Sequence, residues 1–281
     1  MRIARHAGWL LLLLFTPLAA QQPVSSSRPL DVPFVPTNER VVREMLRLGE
    51  VGPDDLVYDL GSGDGRIVIA AAKDFGARGV GVDLNPDRVA EARDNAKRAG
   101  VEDKVEFKQG DLFETDFSAA SVVTMYLLPS VNMKLRSRLL SELKPGTKVV
   151  SHAFDMEDWQ PDQVSVVEGT TVYQWTVPAP VAGEWRWQTD QGQRYQVRLD
   201  QKFQKLSGSA SVDGRPAELV EAKVDGDRLR LAIKAEGSEQ PTVFAARFQD
   251  GKLVGAGEGI QQASTSGGQW VAERVGGSAR G

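Results

Sequence analysis

Between residues 58 and 66 the chain reads Tyr58-Asp59-Leu60-Gly61-Ser62-Gly63-Asp64-Gly65-Arg66, three alternate glycines with an acid two places before the first. An apolar run over 56–60 reads as a buried strand and a helical pattern starts at 66, so the glycines fall where strand must turn sharply into helix. Glycine allows backbone geometries and close approach that a side chain forbids, and a ligand can press against main chain there. Asp83 ends the following strand about twenty residues on, where an acid can accept both hydroxyls of a ribose. Asp111, in Gln109-Gly110-Asp111-Leu112-Phe113, follows a third strand and suits an adenine amino group. A tight turn with no ligand would explain the glycines alone, and an Asp at a strand end is commonly a cap. Three acids at three successive strand ends are less easily explained that way.

The elements that must position these residues alternate along the chain. Strands are expected at 56–60, 79–83, 104–108, 121–128 and 147–152, with helices over 38–48, 66–75, 86–99 and 131–143. Asn38 reads as a helix cap, Pro86 as a helix start and Gly100 as a helix stop. Two further strands, 164–168 and 170–177, flank Gly169 and predict an antiparallel hairpin. The fold class is therefore α/β: a doubly wound, mostly parallel Rossmann-like sheet closed by an antiparallel hairpin. Beyond Pro178-Ala179-Pro180 the pattern changes to short alternating segments at 184–189, 193–206, 229–234 and 242–248, with Asp-Gly turn signals at 213–214 and 225–226. This predicts a C-terminal all-β domain over 181–275, with a tail that is Gly-rich from 267 onward and frayed over its last few residues. The domains expected before it are a signal peptide at 1–20, an extended linker at 21–36 and a ligand-binding domain at 37–178.

The glycine spacing discriminates between ligands. A dinucleotide fingerprint is G-x-G-x-x-G; the order here is G-x-G-x-G with the preceding acid, which favours S-adenosylmethionine over NAD. With this turn and the acids at 83 and 111, the chain resembles the class I, seven-β-strand methyltransferases over roughly residues 33–178. Together with Pro33-Phe34-Val35-Pro36-Thr37, the turn resembles that of small protein-lysine methyltransferases related to the enzyme acting on the c-type ring protein of mitochondrial ATP synthase. The resemblance implies that Thr37 folds over the amino-acid end of the cofactor and that Asp59 and Gly61 meet its amino group and backbone. It places Asp83 at the ribose and Asp111 with Leu112 at the adenine. Ser62, Gly63, Asp64 and Gly65 complete the expected cofactor set.

Methyl transfer is an in-line displacement at a sulfonium, so the protein has to align the nucleophile and exclude water. A lysine nucleophile must also lose a proton, to an acceptor or through a desolvating pocket. Strand carboxyl ends line the crevice of an open α/β sheet, which points to Thr124-Met125-Tyr126-Leu127-Leu128-Pro129 and to Tyr126 first. No Asn/Asp-Pro-Pro-Tyr/Phe motif stands there, which disfavours methylation of DNA adenine or glutamine. Asn132 reads equally as a substrate contact or an early helix residue; His152 can serve as a base or simply as a hydrogen-bonded strand-end residue. Trp159, Trp175, Trp185 and Trp187 gather near the domain junction, where packing is the default reading and an acceptor-binding surface the alternative.

Composition narrows the classes. The chain has 281 residues, no cysteine, two histidines and a net charge of −4, which becomes −6 if residues 1–20 leave with Arg2 and Arg5. Thiolate zinc sites, disulfides and histidine metal clusters are excluded, no metal is expected, and nucleic acid is a poor partner for an acidic chain. Arg2 and Arg5 precede an apolar run of about a dozen residues ending in Ala19-Ala20, short of the roughly 20 that span a bilayer. This predicts an exported protein, with an uncleaved membrane tether as the alternative. The acceptor is expected to be a protein or small molecule, with an envelope or membrane protein among the candidates. An exported binding protein that kept the fold and lost transfer, and a nucleotide-dependent oxidoreductase, are the competing readings.

Overall fold

The computed structural model describes residues 34–255 and 270–275. The expected signal peptide and most of the linker lie outside the described residues, as does much of the tail. The first lobe runs α1 (Glu39–Leu48), β1 (Leu56–Leu60), α2 (Arg66–Phe75), β2 (Arg78–Asp83), α3 (Pro86–Ala99), β3 (Val105–Gln109), β4 (Val122–Met125), α4 (Pro129–Glu142), β5 (Lys148–His152), β6 (Gln163–Val167) and β7 (Thr170–Thr176). The seven strands lie in the order β3-β2-β1-β4-β5-β7-β6. β1 to β5 are parallel, while β7 runs antiparallel between β5 and β6.

Local chemistry sets the helix ends. The Asn38 side chain accepts from the Arg40 N–H at 2.8 Å, and Asn85 caps α3 in the same way from Asp87. Pro86 opens α3 and Gly100 closes it in the left-handed conformation. Val41, Val42, Met45 and Leu46 of α1 are buried with Val57, Val122 and Val150 against one sheet face. Leu60, Met125, Leu135, Leu139 and Trp175 form the core on the other. The strand expected over 121–128 stops at Met125: residues 126–128 leave the ladder because Pro129, which has no N–H, starts α4.

The second lobe is a closed eight-stranded barrel, ordered β10-β11-β12-β13-β14-β15-β8-β9. Its strands are β8 (Gly183–Gln188), β9 (Arg194–Lys202), β10 (Lys205–Val212), β11 (Arg215–Asp225), β12 (Arg228–Ala235), β13 (Thr242–Gln249), β14 (Lys252–Gly255) and β15 (Val271–Arg274). The segment expected as one strand over 193–206 is two, because Phe203 takes φ 55° and folds the chain back on itself. Val271–Arg274, inside the β domain expected over 181–275, pairs with both β14 and β8 and closes the ring; the last residues, 276–281, lie outside the described residues. Among the described residues, closure gives every strand of this lobe two neighbours and leaves no free sheet edge. Its interior is filled by Trp185, Trp187, Tyr195, Phe244 and Trp270, so it is a packed core. Trp159 and Trp175 are fully buried in the first lobe. The aromatic cluster is therefore packing, as the default reading had it.

Phe244 meets Trp187, Tyr195 and Trp270 edge-on within this core. Phe244→Ala is expected to cost about 3–5 kcal/mol, the range for deleting a buried aromatic. Chemical denaturation checks this; a loss below about 1 kcal/mol would show that the barrel interior is not tightly packed.

Candidate functional site

β1 ends at Leu60 and the chain reverses through Gly61 (φ 81°) and Gly63 (φ 52°) into α2. The Gly61 and Ser62 N–H groups both donate to the Val82 carbonyl of β2, at 2.8 and 3.0 Å. A Cβ on Gly61 would stand 2.8 Å from Leu127, and one on Gly63 only 2.3 Å from the Phe34 ring. Both positions are thus bare main chain, walled by Leu127 and Phe34. Gly65 caps α2 and packs against Phe107 and Ala92, a helix-to-sheet contact.

Three acids converge on this turn. Asp59 is 2% exposed and accepts a 2.7 Å hydrogen bond from the Thr124 hydroxyl, its register partner on β4. Burial pushes its carboxyl up to about 7; the Thr124 bond opposes this and the charges of Asp83 and Asp64 add to it. Asp83 accepts from the Gly63 N–H through one oxygen (2.8 Å) and from the Asn85 N–H through the other (2.9 Å), tying the turn to the end of β2. Asp64 instead pairs with Arg66, whose guanidinium also donates to the Thr37 carbonyl at 2.7 Å. That pair staples the segment before α1 onto the turn. The Asp111 carboxylate accepts from the Phe113 N–H at 2.9 Å, and the Leu112 carbonyl from Arg138 at 3.0 Å, so α4 holds the loop after β3.

One strand over, Tyr126 stacks on His152 with ring centroids 3.7 Å apart, and Phe154 continues the stack at 6.4 Å from Tyr126. His152 Nδ1 lies 3.1 Å from the Thr37 hydroxyl. Burial lowers the imidazole to about 4, so the ring is neutral at ordinary pH. Thr37, Tyr126 and His152 are thereby brought together at the carboxyl ends of β4 and β5. Asn132 is not among them. It is wholly buried, and its amide donates to Ser151 Oγ (3.2 Å) and to the Phe154 and Asp155 carbonyls (3.3 and 3.4 Å). Asn132 therefore positions the loop after β5.

The residues fit a cationic, adenosine-bearing group. A desolvated acid that resists ionising alone precedes a turn in which every second residue lacks a side chain, with acids at the next two strand ends. The sequence singles out the segments that contain Phe34 and Thr124, 33–37 and 124–129, but not the Phe34 contact with Gly63 or the Thr124 hydrogen bond to Asp59. A lone polar residue in the apolar strand Val122–Met125 was the available signal for Thr124. No group of His, Asp or Glu suited to a metal occurs among the described residues.

The two titrations oppose each other. Asp59 has a raised folded pKa, so its contribution to stability is complete below about 3.8 and is lost as pH rises through about 7. His152 has a lowered one, so its contribution is complete above 6.5 and is lost as pH falls toward about 4. The difference between Asp59→Asn and the unaltered chain isolates the first. Relative to the unaltered chain, the variant is expected to gain about 2 kcal/mol between pH 5.5 and 8.5, read from denaturation midpoints. A pH-independent difference would contradict the buried-acid account.

The ANTKMT methyltransferase domain model matches residues 59–163. A protein-lysine N-methyltransferase of Saccharolobus islandicus is 52% identical over 138 residues, covering 49% of this chain and 86% of that protein. The adenine nucleotide translocase lysine N-methyltransferase of Mus musculus is 39% identical over 170 residues, 60% of this chain and 70% of that one. The crystal structure of an RNA methyltransferase from Salinibacter ruber in complex with S-adenosyl-L-homocysteine shares 61% identity, covers 52% of this chain and 96% of that chain, and superposes with a TM-score of 0.52. With its glycine turn, acids and seven-stranded sheet in the expected places, the chain belongs to the family of class I, S-adenosylmethionine-dependent methyltransferases to which these enzymes belong.

Proposed function

We propose that this enzyme methylates the side-chain amine of a lysine in a protein acceptor. The observation that carries the reading is the juxtaposition at adjacent strand ends: a desolvated acid under a bare glycine turn, beside an uncharged aromatic and imidazole shelf. Asp59 and Gly61 take the amino-acid end of S-adenosylmethionine, Thr37 covers it, Asp83 takes the ribose, and Asp111 with Leu112 the adenine. Ser62, Gly63, Asp64 and Gly65 form and brace the turn. The cofactor supplies an electrophilic methyl carbon on a sulfonium.

The lysine enters along Tyr126 and Phe154, whose faces accommodate its alkyl stem and its charged head. Desolvation there favours the neutral amine, and its proton leaves to water. His152, neutral through burial, presents no second positive charge to the approaching ammonium. Held on this shelf, the amine lone pair would face the methyl carbon of a bound S-adenosylmethionine, which would transfer its methyl group and keep the carbon–sulfur electron pair on sulfur. Alignment and water exclusion are the chain's contribution.

The names of the lysine-methylating relatives support a protein lysine acceptor. The Salinibacter enzyme raises RNA as the second reading. A net charge of −4 weighs against RNA, because neutralising phosphates is what gives such binding its affinity. The segment 1–20 supports export or membrane tethering, and with it an envelope or membrane-protein acceptor. Exposed Phe34, Val35 and Leu128 give the site apolar neighbours suited to such a partner.

Incubating the full chain with methyl-labelled S-adenosylmethionine and detergent-solubilised envelope membranes tests this. Label is expected in ribonuclease-resistant protein and, after acid hydrolysis, in methylated lysine. Label released by ribonuclease would replace the reading with the RNA one. On cell fractionation, a chain beginning near Gln21 is expected outside the cytoplasm; a cytosolic chain that retains residues 1–20 would refute export.

A further inference from the structure

The family-model match ends at residue 163, and the barrel begins twenty residues later at Gly183. Its bearing on the chemistry lies in the segment between Ala153 and Gln160. That segment leaves β5 in a left-handed conformation at Ala153 (φ 68°) and adopts another at Glu157 (φ 54°). Residues with a Cβ hold such backbone only where their surroundings over-determine it. One clamp comes from α4, through Asn132 and through Arg136, which donates to the Met156 carbonyl at 3.0 Å.

The other clamp is the hairpin between β9 and β10. Its tip, Phe203, packs into the core of the first lobe, with its ring 5.9 Å from that of Trp159 and the Arg136 guanidinium 5.3 Å away. Lys202 Nζ stands 3.0 Å from the Asp158 carboxylate. Gln204 donates to the Gln160 carbonyl at 2.7 Å. Three consecutive barrel residues thus hold three neighbouring points of one strained loop, and the other end of that loop carries Phe154.

We propose that the Lys202-Phe203-Gln204 hairpin of the barrel is a positioning element of the methyl-transfer site, fixing loop 153–160 so that Phe154 stands against Tyr126 and completes the acceptor side. The proposal rests on the acceptor entering along that shelf. Phe203 touches neither cofactor nor acceptor and acts through Trp159 and the loop.

The test compares the full chain with Phe203→Ala, the conservative Phe203→Tyr, and Lys202→Glu, which breaks the ion pair without opening the core. In Phe203→Ala, amide hydrogen exchange over 153–159 is expected to accelerate at least tenfold, and the half-saturating amount of solubilised membrane protein to rise at least fivefold. The dissociation constant for S-adenosylmethionine is expected to stay within twofold. Phe203→Tyr should restore both properties, and Lys202→Glu should shift both in the same direction by less. Unchanged exchange and unchanged half-saturation would overturn the proposal. Exchange accelerated throughout the barrel, with cofactor affinity lost as well, would also overturn it by showing a general stability role. If the unaltered chain labels no protein, the lysine reading fails, and the exchange measurement still decides whether the hairpin braces the loop.

Discussion

A carboxyl group buried at the end of a parallel strand favours its neutral form until a cation or a donor meets it. Asp59 is such a group: Thr124 satisfies one oxygen, and burial with two neighbouring acids opposes ionisation. The surrounding structure follows from keeping it there. Gly61 and Gly63 turn the chain sharply out of β1, the Asp83 carboxylate gathers the turn against β2, and Arg66, paired with Asp64, ties the segment before α1 to the turn. Stability at neutral pH is given up at this point. On the proposed assignment, the cationic amino-acid end of S-adenosylmethionine would recover it.

The proposed acceptor side is built on the opposite principle. Its wall is uncharged: a buried imidazole with a lowered pKa, a phenol stacked on it, and a phenyl ring held by a strained loop. On the proposed reading, this uncharged wall receives the amine, while the acids at the ends of β1 and β2 face the cationic end of the cofactor. On our proposal the barrel enters here as a mechanical part, because its hairpin contacts the loop that carries Phe154.

The first lobe was largely legible in the sequence because its elements end on residues whose backbone preferences leave little choice. Pro86, Gly100, Asn38 and the glycines of the turn each sit where the chain chemistry requires them. Partners set by register were not legible. That Thr124 faces Asp59 depends on how β4 slides against β1, and Asn132 read as a substrate contact or a helix residue until the loop it grips was visible. Barrel closure was hidden for a related reason. The register shifts in β10 and β11, and half of β10, four of its eight residues, is exposed, so the alternation that marks a half-buried strand is blurred.

The most direct test of the account is calorimetric titration of the full chain with S-adenosylmethionine and, separately, with NAD, for the unaltered protein and for Asp83→Ala. The account requires saturable binding of S-adenosylmethionine, no binding of NAD, and a loss of affinity of at least tenfold in the variant. A folded protein that binds neither ligand, or binds S-adenosylmethionine equally well without Asp83, would contradict it.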